Sequence, residues 1–345
     1  MPGLEYNTRI VLAGTMTLGL AAGVIGSLAL LRRRALLGDA LSHATLPGVC
    51  LAFMLAGELR FELLLLGALV TGALGVVAVA LITRHTRVRE DAAIGIVLSV
   101  FFGAGIALSG IIQKRFTNAA QAGIDSFLLG RTAGIVQSDV LLIAGVAGAL
   151  LLVVILFYKE LKLLCFDPEF AAVDGWPVTR LDLLLMLLLA VTTVIGLPAV
   201  GVVLMVALLI LPAAAARFWV EGLSAMLILA GSLGMATGAA GTLVSARADD
   251  LPAGPVIVLA GSALFLLSLL LGPRRGLIAR TVMHLRERRA SERKRLLRTV
   301  YEASEERLPE RRWIPVSELL ASRSWSSPRL RGLLARARRT AATEE

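Results

Sequence analysis

An aspartate and a histidine four residues apart, Asp39 and His43, lie in a strongly apolar part of the chain. On an α-helix, residues at this spacing share one face with Cβ atoms roughly 6 Å apart, so both side chains can reach one small cation. Ionisable side chains inside a membrane are costly and mark functional sites. A carboxylate and an imidazole suit Mn²⁺, Fe²⁺ or Zn²⁺. The pair therefore predicts a site on a metal pathway, binding loosely enough to release its ion.

A structural interpretation of the pair stays open, in which Asp39 caps a helix and His43 is satisfied by packing. The sequence contains no Walker A pattern, no dinucleotide-binding glycine motif, no nucleophile elbow and no His-Glu-x-x-His. The absence of these motifs favours a protein that conducts or transports over one that catalyses. Energy for active transport must then come from a partner subunit or an ion gradient.

The elements that must position this pair are predicted membrane helices. Of the 345 residues 57% are hydrophobic, and the mean hydropathy is +0.80. Apolar runs of about 20 residues are long enough to cross the hydrocarbon as helices. The sequence thus predicts an all-α, polytopic membrane protein with about nine transmembrane helices: Ile10–Leu31, Leu41–Gly57, Leu63–Thr83, Ala92–Ile112, Ile135–Tyr158, Leu181–Ile195, Ala199–Ala216, Leu223–Val244 and Val256–Gly272.

The count depends on one interruption, Gly196-Leu197-Pro198, which makes Leu181–Ala216 either a tight hairpin or one long broken helix. Pro198 removes a backbone donor, and helices tend to end before such a residue. Nine crossings place the arginine-rich loops on one side, whereas eight would not. This distribution predicts an N-terminus outside and a C-terminus in the cytoplasm.

The excess positive charge lies at the end of the chain. From Arg274 onward there are 19 Lys and Arg against nine Asp and Glu, which accounts for the whole net charge of +10. We therefore predict a transmembrane domain over 1–275 and a basic cytoplasmic extension over 276–345. Within the extension, helical spacing predicts short helices at Glu292–Glu306, Val316–Ala321 and Ser327–Arg339, similar to a helix-turn-helix core.

The inner loop Lys159–Arg180 contains a second helix signal. Asp167 followed by Pro168 is typical of a helix start, and Gly175 and Pro177 would end the helix. The pattern predicts a short surface helix, Pro168–Asp174, with Phe166 and Phe170 available for contacts.

Several ordered motifs resemble the permease subunits of manganese, zinc and iron ABC importers, the metal ABC-3 transporter family. The similarity covers residues 10 to 275. The matching segments are Arg34–Gly48, which contains Gly-Asp-Ala-Leu-Ser-His, and then Val88–Ile96, Asp125–Gly130, Phe166–Ala171 and Ala199–Ala214.

The resemblance implies a membrane permease moving a divalent Mn, Zn or Fe ion into the cytoplasm across the bacterial inner (cytoplasmic) membrane. It implies a metal-pathway role for Asp39 and His43, and a helix that couples to an ATPase: Phe166, Asp167, Pro168, Glu169 and Phe170. We add Asp91, Pro198 and Pro212 as candidates for the pathway or for gating.

The expected partners follow from the same resemblance. They are a second permease subunit (homo- or heterodimer), cytoplasmic ATPase subunits and an extracytoplasmic metal-binding protein. Membrane lipid is expected beside the extension, and nucleic acid is not. The permease itself is not expected to be an enzyme or to hold a permanent cofactor, because the metal is its substrate.

Three alternatives remain open at this point. The chain could be an ion-gradient-driven secondary transporter, although inverted repeats and matched broken helices are not seen. It could be a membrane-anchored regulator acting through its tail, although its 270-residue polytopic body exceeds what an anchor needs. Pro168–Asp174 could also be a plain amphipathic surface loop.

Overall fold

The computed structural model describes residues 6–57, 61–115, 130, 132–247, 251–305 and 334–335. The chain divides into two compact units, Met1–Gly276 and Leu277–Glu345. Within the described ranges the first unit is helical throughout, with one 3₁₀ turn at Thr132–Gly134 and no strand. Its helices are α1 Tyr6–Leu31, α2 Ala35–Ala44, α3 Leu46–Ala56, α4 Phe61–His85, α5 Glu90–Arg115, α6 Gln137–Leu156, α7 Tyr158–Phe166, α8 Pro168–Val173, α9 Val178–Ala216, α10 Leu223–Ser245 and α11 Ala253–Leu271.

Eight helical stretches in the described residues are long and apolar enough to cross a membrane. One of them, Leu36–Ala56, combines α2 and α3; the others are α1, α4, α5, α6, α9, α10 and α11. The prediction of an all-α polytopic membrane protein is confirmed. Two of the nine predicted crossings, Leu181–Ile195 and Ala199–Ala216, fall in the single 39-residue helix α9.

Helix α9 is divided into two arms, but not where the sequence suggested. The prediction of a break at Gly196–Pro198 was wrong: Pro198 lies inside the first arm, and the helical conformation is lost at Gly201, with φ 80° and ψ 169°. Such a backbone conformation is essentially reserved for glycine. Gly130 approaches so closely that a Cβ there would overlap the backbone of Val200 and Gly201.

The two arms of α9 lie side by side. Both Leu189 and Leu209 lie within 4 Å of a Cβ built on Gly38, although a straight helix would separate them by about 30 Å. Because the chain reverses at Gly201, both ends of α9 lie near the end of α1. We call this the arginine end of the bundle, because Arg32, Arg33 and Arg34 follow α1 there.

Close helix packing holds the bundle together. Helix α1 runs antiparallel to α10, and a Cβ on Gly19 or on Gly23 would overlap the backbone carbonyls of Gly234 or Ala230. Small residues allow such close approach, the usual way for helices to associate in lipid. The hydroxyls of Thr15 and Thr242 are 3.0 Å apart in the same interface.

A tight turn joins α1 to α2, the helix that carries Asp39 and His43, and fixes where α2 begins. Arg33 adopts a left-handed conformation with φ 60°, and the Arg34 amide donates to the Ala29 carbonyl at 2.8 Å. This 6→1 bond satisfies a carbonyl at the end of α1, as in a Schellman turn. Helix α2 then starts at Ala35, on the fourth residue after α1 ends.

In the second unit the described chain forms one long helix, α12, Leu277–Glu305. The prediction of a helix starting at Glu292 was therefore wrong, because the helix begins 15 residues earlier and passes through the arginine-rich stretch. Leu296 and Thr299 are buried in it, and Arg298 pairs with Glu302 at 2.8 Å across one turn. The predicted helices Val316–Ala321 and Ser327–Arg339 lie outside the described residues, apart from 334–335.

Candidate functional site

Asp39 and His43 lie on one face of α2, as their spacing predicted. The His43 Nε2 atom is 3.8 Å from Asp39 Oδ1, and the side chains are 32% and 44% exposed, respectively. Asp39 is not a helix cap, because α2 begins at Ala35 and Arg34 occupies the N-cap position. The pair is therefore open to a further ligand and is not enclosed by packing.

Helix α5 positions the histidine ring. His43 packs edge-to-face against Phe102, with ring centroids 4.8 Å apart. Leu36, one turn before Asp39, is 63% exposed on the same side of α2. The carboxylate and imidazole thus sit on an exposed face that begins with an apolar side chain. Desolvation there would strengthen their attraction for a cation.

The Asp39–His43 pair supplies two candidate metal ligands. Among the described residues, no group of three or more His, Cys, Asp or Glu could hold a metal ion together. Divalent transition metals take four or more ligands. Within the described part of the chain, a site at Asp39 and His43 therefore has two ligands of these types.

A second set of charged side chains lies at the arginine end, and we call it the arginine cluster: Arg32, Arg34, Glu90 and Asp182. Asp182 binds two arginines, with Oδ1 at 3.0 Å from Arg32 Nη2 and Oδ2 at 2.6 Å from Arg34 Nη1. The Arg34 Nε atom also pairs with Glu90 Oε1. The Arg34 side chain is only 10% exposed. Two positive and two negative charges balance in this nearly enclosed place.

Sequence reasoning missed the arginine cluster. Its members come from the α1–α2 turn, the first turn of α5 and the start of α9, so no local spacing connects them. The available signal was Asp182, a carboxylate at the start of an apolar helix, which needs a cationic partner when it is buried.

Cys165 lies beside the arginine cluster. Burial raises the pKa of its thiol to about 11; the nearby Arg32 charge lowers the pKa and the Asp182 charge raises it. The thiol is therefore protonated at neutral pH.

The predicted short surface helix is confirmed as α8, Pro168–Val173. Asp167 caps it, because its Oδ1 accepts from the Phe170 amide at 2.9 Å, and Pro168 stands in the first turn. Three apolar side chains around it are strongly exposed, and we call them the phenylalanine patch: Phe166 at 58%, Phe170 at 56% and Val173 at 89%. Glu169 is exposed beside them.

The remaining candidates lie on other elements. Asp91 is exposed in the first turn of α5, where its neighbour Glu90 makes the ion pair with Arg34. Pro198 lies three residues before the reversal of α9, and Pro212 is buried in its second arm. Most of the motif Asp125–Gly130 lies outside the described residues.

Comparisons with known proteins agree with this architecture. The model of the ABC 3 transport family matches residues 5–272. The manganese transport system membrane protein MntC of Bacillus subtilis is 48% identical over 87% of this chain and 68% of its own length. The zinc transport system membrane protein TroC of Treponema pallidum is 46% identical over 79% of this chain and 92% of its own length.

A solved structure gives the same result. The structure of PsaBC from Streptococcus pneumoniae in complex with Fab matches with a TM-score of 0.68 and 32% identity, covering 79% of this chain and 94% of that one. Family match, close relatives and fold agree over the same helical body. The chain belongs to the ABC 3 transport family.

Proposed function

We propose that this chain is the permease subunit of an ATP-binding-cassette importer that moves Mn²⁺, Zn²⁺ or Fe²⁺ into the cytoplasm. Relatives named for manganese and for zinc transport support this substrate class. The observation that carries the proposal is the Asp39–His43 pair, 3.8 Å apart and open on a membrane-spanning helical stretch.

The pair acts as half of a shared metal site. Two ligands from each of two permease subunits make four, which suffices to hold a divalent metal transiently. Either a homodimer or a heterodimer satisfies this arithmetic. The absence of a third ligand in the described part of one chain supports weak binding and ready release.

The phenylalanine patch docks the cytoplasmic ATPase subunit, which carries out the ATP hydrolysis. An exposed, capped helix with Phe170 and Val173 pointing away from the bundle suits a helix-in-groove contact. We place the arginine end in the cytoplasm, because positively charged loops favour that side, and the N-terminus outside. The opposite end then receives the metal from an extracytoplasmic binding protein.

The basic helix α12 follows the last membrane span directly, and we propose that its basic side chains contact anionic membrane lipid. Clusters of Lys and Arg just beyond a transmembrane helix favour such lipid contacts.

Uptake of Mn²⁺ and of Zn²⁺ by cells that produce the complex tests the proposal. Asp39→Ala and His43→Ala should each reduce metal-dependent uptake to background while the permease still assembles with its ATPase. His85→Ala is the matched control, since His85 is exposed at the end of α4 and its Nδ1 atom lies 3.2 Å from the Leu81 carbonyl of the same helix. Normal uptake by both site variants would refute the pathway assignment.

A further inference from the structure

We infer that the arginine cluster mechanically links the ATPase-docking helix α8 to Asp39 and His43, which we call the metal pair. Arg34 and Asp182 are its positioning residues. This inference rests on the proposed function, because it assumes that the phenylalanine patch docks the ATPase. It assigns a role to four charged side chains that belong to neither the metal pair nor the patch.

The cluster holds both flanks of the docking helix α8. Before α8, the Arg32 Nη1 atom donates to the Leu164 carbonyl in α7 at 3.2 Å. After α8, a hydrogen-bonded turn leads directly into α9: the Trp176 amide donates to Ala171 at 2.9 Å and the Leu181 amide donates to Pro177 at 3.1 Å. Asp182 is the next residue. A displacement of α8 therefore reaches Asp182 through a short, hydrogen-bonded segment.

The cluster also holds the N-terminus of α2. No side chain caps this helix, so its start is held by the Arg34 backbone and by the ion pairs of the Arg34 side chain with α5 and α9. Asp39 lies five residues further along, a rise of about 7.5 Å. Because a short helix moves as a rigid body, a shift of Asp182 that carries Arg34 with it tilts the face that carries Asp39 and His43.

The charge balance explains why the link remains connected. Both carboxylate oxygens of Asp182 are engaged, each by a different arginine, and the side chain is 19% exposed. Breaking one pair would leave a poorly solvated charge without compensation, which is far more costly than breaking an exposed pair. Such a cluster moves as a unit, so it transmits displacement.

Two variants test the link. Asp182→Asn removes the bridging charge and leaves Arg32 without its carboxylate partner, while Arg34 keeps Glu90. The double variant Asp182→Asn with Arg32→Gln retains the Arg34–Glu90 pair, so the cluster stays neutral and should fold while the connection from α9 to α2 is lost. Glu221→Gln is the control, an acid-to-amide change in an exposed pair 3.8 Å from Arg274.

The complexes, reconstituted with their ATPase subunits in liposomes, are assayed for Mn²⁺ uptake and ATP hydrolysis in the same preparation. We expect both variants to keep hydrolysing ATP while the number of Mn²⁺ ions moved per ATP falls several-fold. Glu221→Gln should keep the wild-type ratio.

A purely structural role would lower both rates together and leave the ratio unchanged. An unchanged ratio, failure of the charge-balanced double variant to assemble, or an equal fall in Glu221→Gln would overturn the inference. A wild-type complex that moves no Mn²⁺ or Zn²⁺ at the expense of ATP would instead refute the proposed function.

Discussion

The metal pair and the arginine cluster both involve α2, yet their environments are opposite. Asp39 and His43 are 44% and 32% exposed, and among the described residues their one ionic contact is with each other at 3.8 Å. Arg34, five residues earlier, is 10% exposed and has two carboxylate partners from distant parts of the chain. The open pair retains capacity for a new ligand, whereas the charges of the enclosed cluster already pair with one another. We conclude that one short helix joins a transient binding site to a permanent anchor.

The largest expected contrast between the arginine cluster and the metal pair is in their contribution to the free energy of unfolding. Arg34→Ala leaves the Asp182 and Glu90 carboxylates short of a partner and should destabilise the protein by about 3–5 kcal/mol. Asp39→Ala removes a half-exposed side chain with one weak contact, and its effect should stay within about 0.5 kcal/mol. Unfolding of the detergent-solubilised permease measures both. Equal destabilisation by the two variants would remove the distinction between pair and cluster.

The burial of the region around the arginine cluster can be measured through the reactivity of the neighbouring Cys165 thiol. Since burial raises the pKa of this thiol from 9.0 to about 11, its thiolate fraction at pH 8 should be about 100-fold lower than that of an unperturbed thiol. A maleimide or iodoacetamide should react correspondingly slowly in a Cys50→Ala background. The same protein unfolded in denaturant serves as the control. Rapid labelling of the folded protein would show that the region is open.

The same pKa has a consequence for stability at alkaline pH. The folded-state pKa lies above the unfolded value, so the stabilising contribution is complete below about pH 9 and is lost as pH rises toward 11. Cys165→Ala should remove this part of the alkaline destabilisation, and unfolding measured across pH 8 to 11 would detect it.

The smallest effect on the stability of the permease is expected at the phenylalanine patch, which lies on the protein surface. Phe170→Glu should leave the stability of the permease nearly unchanged, because the side chain is 56% exposed. It should weaken association with the ATPase by about 1–2 kcal/mol, roughly 5- to 30-fold. Co-purification at graded ATPase concentrations measures this. Glu169→Gln is a milder control in the same helix, and unchanged association of Phe170→Glu would count against docking there.

Local signals in the sequence were sufficient for much of the fold. Apolar runs identified the membrane helices, the spacing of Asp39 and His43 put them on one face, and Asp167-Pro168 marked the start of α8. Each of these depends on neighbours within one or two helical turns, which a sequence displays directly.

The rest depends on contacts that no local pattern contains. Pro198 suggested the break in α9, but the helix absorbs this proline and reverses at Gly201, against Gly130 from another loop. The ion pairs of Arg34 likewise join residues brought together only by the packed bundle. Propensity and hydropathy carry no information about which distant charges will meet.

The most direct test of the central claim is the amount of Mn²⁺ bound by the purified permease dimer in complex with its ATPase. Equilibrium dialysis at increasing Mn²⁺ should saturate at one ion per two permease chains, and binding should be lost in both Asp39→Ala and His43→Ala. One ion per two chains is expected because each chain provides half of the ligands. One ion per chain, or saturable binding that survives both substitutions, would contradict it.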